Sequence, residues 1–303
     1  MRPPRQDWFF ALRQTALFFG YLFCALTLAV VLTYPVMQTG WIDYEPQRVM
    51  GRLAQVLILA GLWPFLRWLD LADRESLGFA LGRPRFIETV KRGWLFGVLS
   101  LLVLVLLELG LGVRVPDPDW SGELWGLLQK AVAALIGGLL IGLLEETFFR
   151  GALYSKIRRG AGVAAAASGS AALYAVVHFL KPHALPAGQA FDWPGAWAMF
   201  IHVFTGFFQW QHLDSLVALF VAGILLALVR ERSGHIGWCI GLHAGWVFVI
   251  QLTRRVTDGD EASELAFLAG HYDGVIGWLG AVWIAVIAWA FWRMSTRSPS
   301  VGC

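Results

Sequence analysis

Long apolar segments recur from one end of the 303-residue chain to the other. Hydrophobic residues make up 57% of the sequence, and the mean hydropathy is +0.61. Soluble domains contain roughly 45–50% apolar residues, so a globular core does not account for this excess. A helix of about 18 or more apolar residues is long enough to cross the hydrocarbon layer of a bilayer. The sequence therefore predicts an all-α, polytopic integral membrane protein.

About eight apolar segments reach the length of a membrane span. They lie near residues 15–37, 50–68, 94–113, 129–156, 161–180, 213–229, 235–253 and 275–293. A further piece over 195–210 is shorter and flanked by polar residues, which favours an interfacial or re-entrant segment. We expect three regions: a three-helix membrane region over 1–125, a catalytic core over 126–253, and an outer loop with the last transmembrane helix over 254–303.

Most of the lysines and arginines fall in segments that alternating spans place on one side of the membrane. This set includes Arg13, Arg74, Arg83, Arg85, Lys91, Arg92, Lys156, Arg158, Arg159, Arg230 and Arg232. Cytoplasmic loops carry such an excess, so both termini are expected in the cytoplasm, and a bacterial inner membrane is the expected location. The net charge is only +3, and no basic cluster has the footprint of a nucleic-acid site.

One apolar segment contains two adjacent carboxylates, Glu145 and Glu146, followed by Arg150. Ionisable residues inside membrane segments are rare and by default indicate a functional site. Glu146 and Arg150 are four residues apart, so they share a helix face and are able to form an ion pair. Glu145 is rotated by roughly 100° from that face. One carboxylate would then be neutralised by its partner, while its neighbour stays free for chemistry.

Two histidines are expected near the depth of Glu145. Residues 156–160 are predicted to form the inner end of the fourth span, followed by a tight turn. Both Glu145 and His178 would stand roughly 20–25 Å above that turn at a rise of 1.5 Å per residue. His243 would lie roughly 15 Å into the seventh span by the same rise. These three side chains are predicted to converge on a water-filled pocket, and we expect the pocket to open to the cytoplasmic side.

The order and spacing of these residues resemble the motifs of a known family. The chain contains Glu145-Glu146-x-x-x-Arg150, then Tyr174-x-x-x-His178, then Phe220-x-x-Gly223, and then His243. This set resembles the four motifs of the CPBP (CAAX protease and bacteriocin-processing) family of intramembrane glutamic endopeptidases. The motifs extend over residues 145–243.

The resemblance implies that a water molecule, activated by glutamate and histidine, attacks a peptide carbonyl near the membrane. By position, Glu145 would be the general base, and His178 would assist it or orient the water. His243 would contact the developing oxyanion, and Glu146 with Arg150 would brace the site. The implied partners are the lipid bilayer and a membrane-anchored protein or peptide substrate, as in CaaX-type processing.

The chain departs from the family pattern at Val247. Four residues after the last histidine the family usually has Asn or another polar residue, whereas this position is apolar here. Loss of one oxyanion donor costs ~100-fold or more in rate where nothing replaces it. Gln251, His202 and Gln209 are candidates to replace the missing donor.

Several other functions remain open. The departure at Val247 also fits a catalytically silent scaffold that binds a partner or a lipid-linked substrate. Buried carboxylates suit a transporter or proton carrier, although matching pairs of broken helices are not evident. Two histidines suit haem, and two histidines with a glutamate are an acceptable set of catalytic zinc ligands.

No cofactor is expected from the sequence. The helix-borne His-Glu-x-x-His spacing of many zinc peptidases is absent, which favours metal-independent chemistry over zinc. The three cysteines, Cys24, Cys239 and Cys303, are scattered and form no disulfide or zinc framework.

Overall fold

The computed structural model describes residues 7–186, 188–206, 209–270 and 272–297, and for 295–297 it describes the backbone alone. The predicted cytoplasmic position of both chain ends therefore falls outside the described residues, and so does Cys303. Within the described part, Cys24 is exposed, Cys239 is buried, and both thiols are free.

Three long helices come first in the chain. They are α1 (Trp8–Gln38), α2 (Pro46–Trp68) and α3 (Arg83–Gly110). The side chain of Asp7 caps α1 by accepting a 2.9 Å hydrogen bond from the backbone N–H of Phe10. Proline stands in the first turn of both α2 and α3, where its missing N–H leaves no helical hydrogen bond unmade.

A helical hairpin forms the middle of the molecule. It consists of α4 (Leu124–Glu146), a π-helical segment (Thr147–Leu153) and α5 (Tyr154–His178). The helical path breaks at Gly162, whose φ of 84° and ψ of 178° are accessible to glycine and strained for other residues. The chain therefore reverses at the tight turn that the sequence predicts after Gly160.

Four further helices follow the hairpin. They are α6 (Trp193–Thr205), α7 (Leu213–Ser233), α8 (Gly237–Val256) and α9 (Trp278–Arg297). With 13 residues, α6 is too short to cross a bilayer, and it packs against α1 and α2 through Ala196, Met199 and Val203. This short helix occupies the position where the sequence predicts an interfacial or re-entrant segment.

By length and composition, five stretches within the described ranges are able to cross a membrane. They are Trp8–Gln38, Pro46–Trp68, Arg83–Gly110, Leu124–His178 and Trp210–Ser233, with a shorter apolar helix at Trp278–Met294. The predicted fourth and fifth spans are the two arms of the hairpin, and the seventh and eighth coincide with α8 and α9. The prediction of an all-α, polytopic membrane protein is confirmed.

Glycines bring α3 and α8 into direct backbone contact. A Cβ atom on Gly97 would lie 2.5 Å from the carbonyl oxygen of Leu242, and one on Gly245 would lie 2.5 Å from that of Trp94. Small residues allow helices in a membrane to approach this closely. The contact fixes the rotation of α8, so that His243 is directed towards α4, where Gly142 leaves room for it.

The two ends of the helix bundle differ in the segments that form them. One end, called the basic end below, is formed by 69–82, 154–162 and 230–236. There the Nζ atom of Lys156 donates to the carbonyl of Leu69 (3.0 Å), and the backbone N–H of Ile236 donates to the carbonyl of Gly78 (3.1 Å).

The opposite end, called the acidic end below, is formed by 111–123, 179–186, 188–192, 257–270 and 272–277. Two short antiparallel strands, β1 (Arg114–Pro116) and β2 (Thr257–Gly259), join the loops that follow α3 and α8. Arg114 also donates to the backbone carbonyl of Gly274. The predicted region boundaries at 125/126 and 253/254 stay predictions. Across the first α3 packs against α8, and across the second α7 packs against α9.

Candidate active site

The five predicted site residues come from both arms of the hairpin and from α8. Glu145 and Glu146 are the last two residues of α4, and Arg150 lies in the π-helical segment. His178 is the last residue of α5, and His243 lies in the first half of α8. The structure brings these five side chains together, although they are far apart in the sequence.

Glu145 lies between the two imidazoles. Its Oε2 atom is 3.8 Å from Nε2 of His178 and 3.8 Å from Nε2 of His243. The side chain of Glu145 is 32% exposed and that of His178 is 17% exposed, whereas His243 is almost fully buried. The convergence predicted from helix depth is therefore present, and the side chain of Glu145 is partly exposed although its Oε2 atom is buried.

Glu146 has a different environment from its neighbour. Its Oε1 atom accepts from Nδ1 of His243 at 2.9 Å and from a guanidinium nitrogen of Arg150 at 3.1 Å. The side chains of Glu146 and Arg150 are both fully buried. Arg150 also donates to the carbonyl of Gly223 (3.4 Å) and stacks over the ring of Tyr174 at 4.3 Å. The two adjacent glutamates are thus divided into one paired and one free carboxylate, as their spacing predicts.

Hydrogen-bond partners assign the tautomers of both histidines. Nδ1 of His178 lies 2.7 Å from the carbonyl oxygen of Tyr174, which only accepts, so this nitrogen carries a proton. Nδ1 of His243 faces the carboxylate of Glu146 and donates for the same reason. In the neutral rings both Nε2 atoms are therefore acceptors, and both face the carboxylate of Glu145. A water molecule that donates hydrogen bonds matches this group of acceptors.

Tyr174 connects the parts of the site. Its ring lies 4.5 Å from that of His178 and 6.0 Å from that of His243, in edge-to-face geometry, and 5.4 Å from the ring of Phe149. Its position four residues before His178 on α5 places it one turn below that histidine. Only its place in the motif signals this role in the sequence.

Val247 makes an apolar contact at the position where the family usually has a polar residue. It packs against Gly138 of α4, where an added Cβ would lie 3.5 Å from the Cβ of Val247. Among the candidate replacements, His202 lies on α6, which packs against α1 and α2, and Gln209 accepts a hydrogen bond from Gln211. These contacts do not place either residue beside Glu145. Gln251 lies one turn further along α8.

Lys181 and Tyr272 lie beside the site, and the sequence gives no signal for either beyond the closeness of Lys181 to His178. The Nζ atom of Lys181 donates to the hydroxyl of Tyr272 and lies 4.2 Å from the centre of its ring. The ring of Tyr272 is 6.2 Å from that of His178. Desolvation lowers the pKa of Lys181, and the negative charges of Glu145 and Asp273 oppose this shift. Both residues belong to loops at the acidic end.

Packed side chains separate Glu145 from the basic end. Arg150 and Leu153 are fully buried and Phe149 is 4% exposed. Gly151 lies against the backbone of Leu77, where an added Cβ would be 2.8 Å from the carbonyl oxygen. The sequence predicts that the basic end is cytoplasmic and that the pocket opens there. Both expectations stay predictions, because these contacts describe packing within the hairpin and not the opening of a pocket.

A catalytic zinc centre would need protein ligands about 2.0–2.2 Å from the ion, arranged tetrahedrally around it. Within the described ranges, no group of three His, Cys, Asp or Glu side chains has the arrangement of a metal site. The expectation of metal-independent chemistry stays a prediction.

Comparison with known proteins adds an independent observation. Residues 127–249 match the family model described as Type II CAAX prenyl endopeptidase Rce1-like. No curated protein and no solved structure matches the chain. The matched region contains Glu145, Glu146, Arg150, His178 and His243. This match over residues 127–249 supports a relationship to the CPBP/CAAX protease family.

Proposed function

We propose that this membrane protease is an intramembrane glutamic endopeptidase in which Glu145 and His178 activate the attacking water. The observation that supports this proposal is the position of the Glu145 carboxylate, 3.8 Å from Nε2 of both His178 and His243. A general base needs to be within hydrogen-bond reach of the proton that it takes, directly or through one water. A water between these atoms would be in reach of both Glu145 and His178.

The reaction begins with proton transfer from this water to Glu145. The water oxygen attacks the carbonyl carbon of the scissile peptide, a C–O bond forms, and the carbonyl oxygen takes the negative charge. Nε2 of His178 accepts the second hydrogen bond of the water and so sets the direction of its lone pair. When the tetrahedral intermediate collapses, the C–N bond breaks and the leaving amine takes the proton back from Glu145.

His243 stabilises the negative charge on the oxyanion in this mechanism. Its Nδ1–H is held by the buried carboxylate of Glu146 at 2.9 Å, and that negative charge favours the imidazolium form. In this form Nε2 also carries a hydrogen and donates a hydrogen bond to the oxyanion. Arg150 holds Glu146 in place at 3.1 Å, so Glu146 and Arg150 are positioning residues. His243 would therefore stabilise the oxyanion even though residue 247 is an apolar valine.

The natural partner in this proposal is a membrane-anchored protein or peptide, and the protein acts as an integral protein of a bacterial inner membrane. The membrane itself limits access, because the carboxylate lies at the junction of α4 with the π-helical segment, roughly 25 Å of helix from the break at Gly162. Substrate segments held at the membrane reach such a site more readily than soluble chains.

The test compares the wild-type protein with Glu145→Gln, His178→Ala and His243→Ala, each purified and added to membrane extracts in H2(18)O. Hydrolysis places one 18O atom in each new carboxyl terminus, and mass spectrometry detects this label whichever protein in the extract is cleaved. We expect new labelled termini with the wild type and at least ~100-fold fewer with each variant, because general acid–base groups contribute about 10²–10⁴ in rate. Glu261→Gln, an exposed carboxylate in the loop after α8, serves as the matched control and should retain wild-type activity.

Equal labelling by the wild type and Glu145→Gln would contradict the proposal. The second candidate is a catalytically silent member of the family that binds a partner or lipid-linked substrate, which the apolar contact of Val247 favours. In that case the wild type would yield no labelled termini, and all three variants would recover the same bound partners as the wild type after crosslinking in membranes.

A further inference from the structure

A recess in the protein surface lies at the basic end, between the start of α1 and the end of α2. Its volume is about 790 Å³, which falls within the range of about 300–1,000 Å³ that is usual for ligand pockets. Arg13 and Gln14 of α1, Trp68 of α2 and Lys156 of α5 are among the residues that line it. These residues are distinct from those around Glu145, so the recess is separate from the candidate active site.

Two cations in the recess are not neutralised by the protein. The side chain of Arg13 is exposed, and that of Lys156 is partly buried. The ammonium of Lys156 donates to the carbonyl of Leu69 at 3.0 Å, which leaves two of its three hydrogens for other acceptors. In the part of the chain that the structure describes, neither cation forms an ion pair, not even with Asp70, which directly follows Leu69. An anionic ligand would therefore meet unpaired positive charge.

Gln14 gives a second, independent sign of a polar ligand. It lines the recess, yet it is only 3% exposed. None of the hydrogen bonds among the described residues involves its side-chain amide. A buried amide without a partner carries a free-energy cost. A ligand with oxygen atoms would accept a hydrogen bond from this amide and so remove that cost.

The surroundings of the recess match the boundary between lipid headgroups and acyl chains. Trp8 and Trp68 are both more than half exposed, and tryptophan is enriched at this boundary in membrane proteins. Leu17 lies one helical turn beyond Arg13 on α1 and lines the same recess, while Leu12 beside it is largely exposed. The recess thus has a cationic part at the end of the bundle and an apolar part further along the helices.

We propose that this recess binds an anionic phospholipid. The phosphate contacts Arg13 and Lys156, the amide of Gln14 donates to a headgroup oxygen, and an acyl chain lies along Leu17 beside Trp68. Basic pockets between membrane helices bind anionic headgroups in this way. A free phosphate would leave the apolar part uncovered. The proposal does not depend on peptide hydrolysis, so it stands or falls independently of the proposed function.

The test measures lipid binding to the full-length protein, purified in a neutral maltoside detergent. Dioleoyl phosphatidylglycerol is added in increasing amounts, the bound lipid is counted by native mass spectrometry, and the midpoint of thermal unfolding is recorded. Phosphatidylcholine with the same acyl chains tests the need for net charge, and glycerophosphate tests whether the headgroup binds without its chains.

Three variants are compared with the wild type. Arg13→Gln removes an exposed cation, so its fold should be intact, and a second variant combines it with Lys156→Gln. The matched control combines Arg85→Gln and Lys91→Gln, two exposed cations near the start of α3 that lie outside the recess. The control and the double variant lose the same charge.

We expect the wild type to bind phosphatidylglycerol about tenfold or more tightly than phosphatidylcholine, since each Lys or Arg at an anionic lipid surface contributes about fivefold. Arg13→Gln should weaken binding about fivefold and the double variant roughly 25-fold, with less than about a twofold change in the control. The bound lipid should raise the unfolding midpoint of the wild type, because a ligand of the folded state stabilises it, and the double variant should lose this rise.

Three results would overturn the proposal. Equal affinity for the two lipids would mean that the cations recognise no headgroup. An equal loss in the control would assign the preference to the general charge of the basic end. Competition by glycerophosphate at the same concentration as the lipid would make the recess a site for soluble phosphates. If the double variant does not fold, Arg13→Gln alone decides between these outcomes.

Discussion

At the residue scale, the spacing of Glu146 and Arg150 predicts their ion pair, and the structure contains it. The sequence does not predict the other partners of the pair, because His243, Gly223 and Tyr174 come from separate helices whose packing is set by long-range contacts. Likewise, helix depth predicts which residues converge on Glu145, but it does not predict that Lys181 and Tyr272 lie beside these residues. Periodicity along one helix carries no information on loops from elsewhere in the chain.

Arg150→Ala is expected to destabilise the protein strongly. The substitution leaves the carboxylate of Glu146 fully buried with its arginine partner gone, and removal of one partner from a buried pair costs about 3–5 kcal/mol. Arg48→Ala is the matched control, since the pair of Arg48 with Glu45 is 3.8 Å long and largely exposed. Its cost should be below about 1 kcal/mol.

The measurement is unfolding in mixed micelles with increasing SDS, followed by the change in helix signal. Equal midpoints for Arg150→Ala and Arg48→Ala would show that the buried pair contributes nothing to stability.

At the scale of elements, the sequence predicts a tight turn directly after Gly160, and the helical path breaks at Gly162. Basic residues at 156–159 indicate a helix end at the membrane surface, yet they continue the helix because each finds a partner at the basic end. Arg158 pairs with Glu231 at 3.0 Å, and Arg159 donates to the hydroxyl of Ser76. The reversal occurs at Gly162, where the backbone requires positive φ. Charge alone does not reveal which residue supplies that conformation.

Gly162→Ala is therefore expected to destabilise the hairpin by about 1–3 kcal/mol, because a side chain at φ 84° and ψ 178° is strained. Gly137→Ala on α4 is the matched control: an added Cβ there meets nothing within 4 Å, and alanine favours helix over glycine by roughly 0.5–1 kcal/mol. Thermal unfolding in detergent should show a lower midpoint for Gly162→Ala and an unchanged or higher one for Gly137→Ala. A higher midpoint for Gly162→Ala would mean that the turn is not strained by a side chain.

At the scale of the whole molecule, hydropathy predicts the membrane class, the positions of the spans and the short α6. It does not predict the packing around the site, because depth counted along a helix says nothing about what fills the space on either side. Here Phe149, Arg150 and Leu153 fill the space towards the basic end. The match over residues 127–249 likewise supports a family without describing this packing.

The wild-type protein is expected to keep its proposed proteolytic activity after metal removal. The proposed mechanism activates water with Glu145 and His178 alone, so treatment with 1,10-phenanthroline or EDTA, followed by dialysis, should leave the rate of 18O incorporation within about twofold of the untreated value. A control zinc peptidase assayed in the same extract should lose its activity. A loss in both, reversed by added zinc, would replace the glutamate mechanism with metal-assisted hydrolysis.

The proposed reaction depends on an irregularity of the backbone, the π-helical segment Thr147–Leu153. Such a segment is commonly an α-helix with one surplus residue. Shortening it by that residue would make the hairpin more regular, but it would also swing α4 by roughly 100° relative to α5. Glu145 would then turn away from His178. A regular α-helix through this segment is therefore incompatible with the contact between the carboxylate of Glu145 and the imidazole of His178.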